Sequence, residues 1–188
     1  MNQMWQIWYT GASDETVNSI IQECETYPVS NATVGDTGSS IVDNQYRQSD
    51  LRWIDSVKSS WIKDILWNYA EEANRNAFGF DINYLKEIQY TTYRSDNNGK
   101  YDWHCDTFWA NSRMFDRKLS IVMQLSDGND YEGGDFQFDS GIPAPDAVQI
   151  RNRGVVIVFP SFLSHRVTPV TQGVRNSLVA WIEGPKFR

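Results

Sequence analysis

The sequence predicts an α+β fold, mainly β, in which N-terminal helices pack on one sheet of a jelly roll or β-sandwich. Three observations lead there. Two amphipathic helical patterns fall within the first 80 residues. From about residue 81 the hydrophobic period changes from helical to alternating, in short runs separated by turn residues. One of those runs, Gly154 to Phe159, is almost continuously apolar, as a strand buried on both faces should be. Helices followed by many short strands is the order expected when helices cover one face of a sandwich. With 188 residues and no visible internal boundary, the chain reads as a single domain. Its helical support spans about residues 1–80 and its jelly roll about residues 81–188.

The elements follow in order. Ser13 or Asp14 can cap a first helix whose apolar face is Val17, Ile20, Ile21 and Cys24. Residues 28–50 are rich in Gly, Ser, Asn and Asp and predict a long loop, the kind of segment that forms lids. The spacing of Val57, Trp61, Ile65, Tyr69 and Ala73 predicts a second helix from about Ile54 to Ala77, ended by Gly79. Strands are expected at Tyr84 to Arg94, Lys100 to Asp106, Lys118 to Leu125, Asp135 to Phe138, Gly154 to Phe159 and Val174 to Trp181. Ser95 to Gly99 and Thr171 to Gly173 supply turns between them.

Composition narrows the function classes. A formal net charge of −7 disfavours nucleic acid and anionic membrane surfaces, because phosphates are met by Lys and Arg. Cys24 and Cys105 have no metal-type spacing, the N-terminus lacks a signal-peptide pattern, and no apolar run reaches membrane-spanning length. The expectation is a soluble, cytoplasmic protein. Without a secretion signal, the sequon at Asn31 to Thr33 is read as unmodified. Histidine is scarce, with only His104 and His165 present, so any site needing two imidazoles must use both.

His104 and Asp106 stand two apart in an expected strand, where side chains alternate, so both should face one side and Cys105 the other. With His165 after the buried strand, they make two histidines and one carboxylate, a facial triad suited to non-heme iron(II) with positions left open. The triplet alone occurs by chance in many sequences, and zinc would accept the same ligands. Arg175 changes the weighing. It lies ten residues after His165, beyond the Thr171 to Gly173 turn, and a hairpin would bring it back beside the metal site. A guanidinium there could pair the distal carboxylate of 2-oxoglutarate.

These segments resemble prolyl 4-hydroxylase-like iron(II)/2-oxoglutarate oxygenases. Ile88 to Phe108 resembles their tyrosine, glycine-turn, tyrosine and His-x-Asp segment. Tyr131 to Phe136 is similar to their "YEGGEL" element. Phe159 to His165, Pro169 to Thr171 and Gly173 to Arg175, with Trp181 beyond, resemble their C-terminal signature. The resemblance implies a double-stranded β-helix and a dioxygenase using iron(II), 2-oxoglutarate and O2. Such an enzyme would hydroxylate an unactivated C–H bond and release succinate and CO2. The resemblance places the metal on His104, Asp106 and His165 and the distal carboxylate on Arg175, with arginine there pointing to the bacterial and viral PKHD-type branch. Tyr93, with Tyr101 as the alternative, and Trp181 would line the cosubstrate pocket. A peptidyl proline is the favoured substrate, ahead of a free amino acid or small metabolite. From the loop after Asp106, Phe108 and Trp109 are candidate substrate contacts, as is Tyr101, with Tyr46 and Trp53 behind them. A jelly-roll binding module without chemistry and a zinc hydrolase are the readings from other classes.

Overall fold

The computed structural model describes residues 3–32, 42–109 and 114–187. The middle of the expected lid, at 33–41, lies outside the described residues, as do residue 33 of the sequon and residues 110–113 of the aromatic loop. The chain runs through β1 (Gln6–Trp8), α1 (Asp14–Glu25), β2 (Ser30–Asn31), β3 (Arg47–Gln48), β4 (Asp50–Ile54) and α2 (Ser60–Ala73). It continues through β5 (Tyr84–Arg94), β6 (Lys100–His104), β7 (Phe115–Gln124), β8 (Tyr131–Gly133) and β9 (Phe136–Phe138). It closes with β10 (Val156–Pro160), β11 (His165–Val167) and β12 (Val170–Pro185).

Two antiparallel sheets result. The major sheet has the order β1-β10-β7-β12-β5-β4-β2, with β8 also paired to β12. The minor sheet has the order β3-β6-β11-β9. Residues 1–80 therefore supply strands to both sheets as well as the two helices.

Strand alternation explains how the major sheet serves two cores. On β12, Leu178, Ala180 and Ile182 join Val17, Ile20, Ile62 and Leu66 of the helices in one cluster. The intervening Ser177, Val179 and Trp181 face the minor sheet and line a cavity. On β7, Ile121 packs toward the helices while Val122 packs with Phe138, Phe159 and Leu163 between the sheets. The helix-covered layer holds the protein together: truncating a fully buried residue such as Leu66 to alanine would cost ~2–5 kcal/mol.

The first helix forms as expected. The Ser13 hydroxyl accepts from the Thr16 N–H and caps it. The second starts later than its spacing suggested. Asp55 Oδ1 accepts from the N–H groups of Val57 and Lys58, a tight turn that ends β4 at Ile54 and delays the helix to Ser60. Its buried stripe is Ile62, Leu66, Ala70 and Ala73, whereas Val57 is 83% exposed. The smaller aliphatics pack against the sheet, and Trp61 is left at the surface. A π-helical turn, Asn74–Phe78, follows, and Gly79 at φ +67° closes it.

The Thr171 to Gly173 turn is not a turn. These residues lie inside β12, where the pairing with β8 shifts register between Val170 and Gln172 and Gly173 takes φ +73°. Among the described residues no helix is long and apolar enough to cross a membrane.

Candidate active site

His104 ends β6 and His165 begins β11, and the two are direct cross-strand partners. Their ring centroids lie 4.2 Å apart. Asp106 is not on the strand. It sits in the turn after β6, where its N–H donates to Ser161 O at 2.8 Å. The Ser120 hydroxyl donates to Asp106 Oδ2 at 2.6 Å and lies 2.9 Å from the Ser161 hydroxyl. The convergence of His104 and Asp106 thus comes from a turn anchored to β7 and β10, not from strand alternation. Cys105 is exposed, with its thiol donating to Phe162 O at 3.2 Å.

Donor atoms of His104, Asp106 and His165 all lie within 4.8 Å of one another. Asp106 oxygens stand 3.8 Å from His104 Nε2 and 3.6 Å from His165 Nε2. His104 Nδ1 lies 2.7 Å from Asp102 O, and His165 Nδ1 lies 2.8 Å from Leu163 O. A carbonyl only accepts, so each Nδ1 carries a proton, and each Nε2 is turned to the carboxylate side. Burial, reinforced by the neighbouring His165, pushes His104 down to about 3, so its imidazole is neutral. Burial of Asp106 works against its ionisation, but His165, His104, Arg117 and the Ser120 hydroxyl outweigh it and hold the carboxyl at about 2. Two imidazoles whose Nε2 atoms face one carboxylate are the donor set of an iron(II) facial triad.

The three donors lie at one side of a cavity between the sheets, whose wall includes Arg47, Tyr93, Tyr101, Arg175 and Trp181. Arg175 is 3% exposed and pairs in register with Tyr93, whose ring centroid is 5.5 Å from its guanidinium carbon. Among the described residues no carboxylate pairs with it. A buried cation without a counter-ion is costly, so the site is built for an anion to arrive. Gly134, at φ +61°, makes room for it: a Cβ there would meet Arg175 Cδ at 3.2 Å and Val170 Cγ2 at 2.9 Å. The cavity therefore joins a metal donor set to an uncompensated guanidinium, which fits iron(II) with a dicarboxylate such as 2-oxoglutarate. The route to this placement differs from the hairpin expected. His165 belongs to the minor sheet and Arg175 to the major one, so they face each other across the sandwich.

Tyr93 and Trp181 line the cavity, and burial raises the Tyr93 phenol above its ordinary value. Tyr101 lines it too, stacked on His104, and burial raises its phenol despite the opposing pull of Arg47. Phe108 and Trp109 are not brought to the cavity wall. Phe108 lies near the Arg117 guanidinium, with 5.7 Å from its ring centroid to the guanidinium carbon. Trp109 is 63% exposed and leans on Phe187 and Phe162, at 5.5 and 6.5 Å. After Asp106 the chain turns away from the cavity, with Thr107 buried and its hydroxyl donating to Arg117 O at 2.9 Å. Tyr46 packs edge-on against Tyr101, and its hydroxyl donates to Trp103 O. Trp53 is exposed on β4.

Arg47 and Gln89 are among the wall residues that the sequence did not single out. Arg47 is buried on β3 with its guanidinium 4.3 Å from the Tyr101 ring centroid, and its Nε donates to Ser49 Oγ at 3.3 Å. Gln89 faces inward from β5. Arg47 sat in a stretch read as loop, and Gln89 is one polar residue in a strand that alternates anyway.

The family model described as the 2OG-Fe(II) oxygenase superfamily matches residues 88–183. A PKHD-type hydroxylase of Synechococcus sp. (strain CC9311) is 37% identical over 90 residues, covering 48% of this chain and 39% of that protein. The chain thus aligns with well under half the length of that relative. A PKHD-type hydroxylase of Idiomarina loihiensis is 24% identical over 181 residues, covering 93% of this chain and 77% of its own length. Among solved structures, a Pseudomonas putida prolyl-4-hydroxylase superposes with a TM-score of 0.73 at 20% identity, covering 96% of this chain and 92% of that one. A Trichoplax adhaerens prolyl hydroxylase, solved with a hypoxia inducible factor peptide fragment, superposes with a TM-score of 0.74 at 15% identity, covering 96% and 83%. These neighbours share the double-stranded β-helix fold. The family model spans His104, Asp106, His165 and Arg175, and the chain belongs to the 2OG-Fe(II) oxygenase superfamily.

Proposed function

We propose that the chain is a 2-oxoglutarate-dependent dioxygenase that hydroxylates a prolyl residue of a peptide or protein. The observation that carries this reading is the single buried cavity joining His104, Asp106 and His165 to the unpaired guanidinium of Arg175. In it, His104, Asp106 and His165 would hold iron(II), which would supply the oxygen chemistry that no side chain here performs. Arg175 pairs the distal carboxylate of 2-oxoglutarate and fixes its orientation, with Tyr93 beside it. The walls between the sheets exclude water from the reacting centre. One oxygen atom of O2 enters the substrate as hydroxyl and the other enters succinate, with CO2 released.

A peptidyl proline is supported by the prolyl hydroxylases among the structural neighbours, one of which was solved with a peptide fragment. A second reading rests on Arg47, another buried guanidinium at the same cavity without a carboxylate partner among the described residues. It would suit the α-carboxylate of a free amino acid. The test is incubation of iron(II)-loaded protein with 2-oxoglutarate and O2 against proline-containing peptides and free amino acids. A +16 Da product formed one for one with succinate is expected from a peptide. Succinate formation that no peptide stimulates, alongside conversion of a free amino acid, would replace the first reading with the second.

A further inference from the structure

Two buried polar atoms, each on a residue that lines the cavity, have no partner among the described residues. Gln89 is 2% exposed; its Nε2 donates to Thr91 Oγ1 at 2.6 Å, but its Oε1 accepts nothing. Trp181 is 6% exposed, and its Nε1–H donates to nothing. Both side chains line the cavity that holds His104, Asp106 and His165. The register sets them side by side: Gln89 is opposite Val179, and Trp181 is the next inward residue of β12. One is an acceptor and the other a donor. Buried polar groups are nearly always paired, so an orphaned acceptor and an orphaned donor at one wall call for a ligand that carries the complement of both.

The cosubstrate is not that ligand. 2-Oxoglutarate is a dianion that offers acceptors only, so it leaves Gln89 Oε1 unpaired wherever it lies. The missing partner carries a donor and an acceptor close together. The two side chains are also held in place from behind. The Arg117 guanidinium carbon stands 3.9 Å from the Trp181 ring centroid, and Arg117 Nη2 donates to Glu87 Oε2 at 2.6 Å. Thr91 fixes the other end of the Gln89 amide. Groups fixed by their neighbours before a ligand arrives lose little freedom on binding, which is how specificity contacts are built.

We propose that Gln89 and Trp181 recognise the primary substrate through a secondary amide. The substrate N–H donates to Gln89 Oε1, and the substrate carbonyl accepts from Trp181 Nε1–H. The proposal rests on the function proposed above and narrows its substrate class to one carrying a peptide bond next to the reacting carbon. A proline within a peptide has such a bond on its C-terminal side; free proline has none.

Three small probes test this on iron(II)- and 2-oxoglutarate-loaded protein kept free of oxygen, so that binding is read without turnover. N-acetyl-L-proline N-methylamide carries the donor and the acceptor. N-acetyl-L-proline methyl ester keeps the carbonyl and lacks the N–H. L-Proline has no amide. Titration calorimetry should show the N-methylamide bound at least tenfold more tightly than the ester, about 1.4 kcal/mol. Gln89→Met, which keeps the side-chain length and removes the acceptor, should shrink that preference to within about twofold by abolishing the contact that distinguishes them. Trp181→Phe should weaken amide and ester alike, since both keep the carbonyl, and it serves if Gln89→Met does not fold. Equal binding of amide and ester by the parent protein would overturn the proposal. So would an amide preference that survives Gln89→Met, or tighter binding of L-proline than of either blocked form. Failure of the underlying function would show separately, as no 2-oxoglutarate-dependent succinate in air while the amide preference persists.

Discussion

The Tyr101 ring lies flat on the His104 imidazole, with centroids 3.5 Å apart and planes 15° from parallel. On its hydroxyphenyl system also sits the Arg47 guanidinium, 4.3 Å from the ring centroid. Together with the Nδ1 contact to Asp102 O, this stack leaves the His104 ring one orientation. Tyr101→Phe keeps the stacked ring and should hold metal affinity within about threefold. Tyr101→Ala removes it and should weaken metal binding by roughly 10–100-fold, the range typical of groups that orient a ligand. Competition with a chelator of known affinity measures both. Equal affinity in Tyr101→Ala would mean that the Asp102 carbonyl alone orients the ring.

Removing a donor is a harsher change than loosening one. His104→Ala, Asp106→Ala and His165→Ala should each abolish stoichiometric iron(II) binding and 2-oxoglutarate turnover while leaving a folded protein. Iron analysis and circular dichroism on the same samples check this. Iron retained with full turnover in His165→Ala would remove the triad assignment.

Arg175 is expected to act on the cosubstrate and not on the metal. Breaking a buried charge pair from one side costs about 2–5 kcal/mol. Arg175→Ala should therefore bind 2-oxoglutarate roughly thirty- to several-thousand-fold more weakly, at about 1.4 kcal/mol per tenfold. Arg175→Lys should fall between, since it keeps the charge and loses the planar fork. Iron affinity without cosubstrate should hardly move. A merely structural arginine gives the opposite pattern, with a lower melting temperature and an unchanged cosubstrate affinity.

Alkaline pH should find a weak point far from the cavity. Cys24 lies in the helix–sheet core, and burial, helped by the nearby Glu23 carboxylate, pushes its thiol from 9.0 up to about 12. Burial likewise pushes Tyr90 from 10.0 to about 12. Between the unfolded and folded values the native state holds protons that the unfolded chain has lost. Stability is therefore intact below about pH 9 and falls as pH rises above it, by up to ~1.4 kcal/mol per pH unit for each group. Urea melts of the parent should show this loss, and Cys24→Ala should be flatter between pH 9 and 10. Parallel pH profiles for the two proteins would exclude Cys24 as its source.

The sequence was most readable where period and capping act locally. The Ser13 cap, the Gly79 stop and the span of β5 follow from such signals and agree with the structure. The start of the second helix was placed too early because Ile54, Val57 and Trp61 happen to share its period, and only the Asp55 turn breaks it. Two- and three-residue strands such as β1 and β3 carry too few residues for a pattern. At the site, residue types were legible and geometry was not. Asp106 meets His104 through a turn tied to Ser161, and Arg175 arrives on the opposite sheet. Arg47 and Gln89 carried no local mark because their meaning arises only from what they face after folding.

That opposition of sheets gives the cosubstrate a second role. The metal donors His104 and His165 belong to the minor sheet and Arg175 to the major one. A molecule held at both ends is then a removable cross-tie between two layers. Its binding adds RT ln(1 + [L]/Kd) to stability, about 2.7 kcal/mol at a hundredfold excess over Kd. Succinate would occupy the Arg175 end with one carboxylate while lacking the keto group that completes the tie at the metal. The supply of 2-oxoglutarate would then govern how long the protein survives as well as how fast it works, and starvation for it would leave the layers free to part and be degraded.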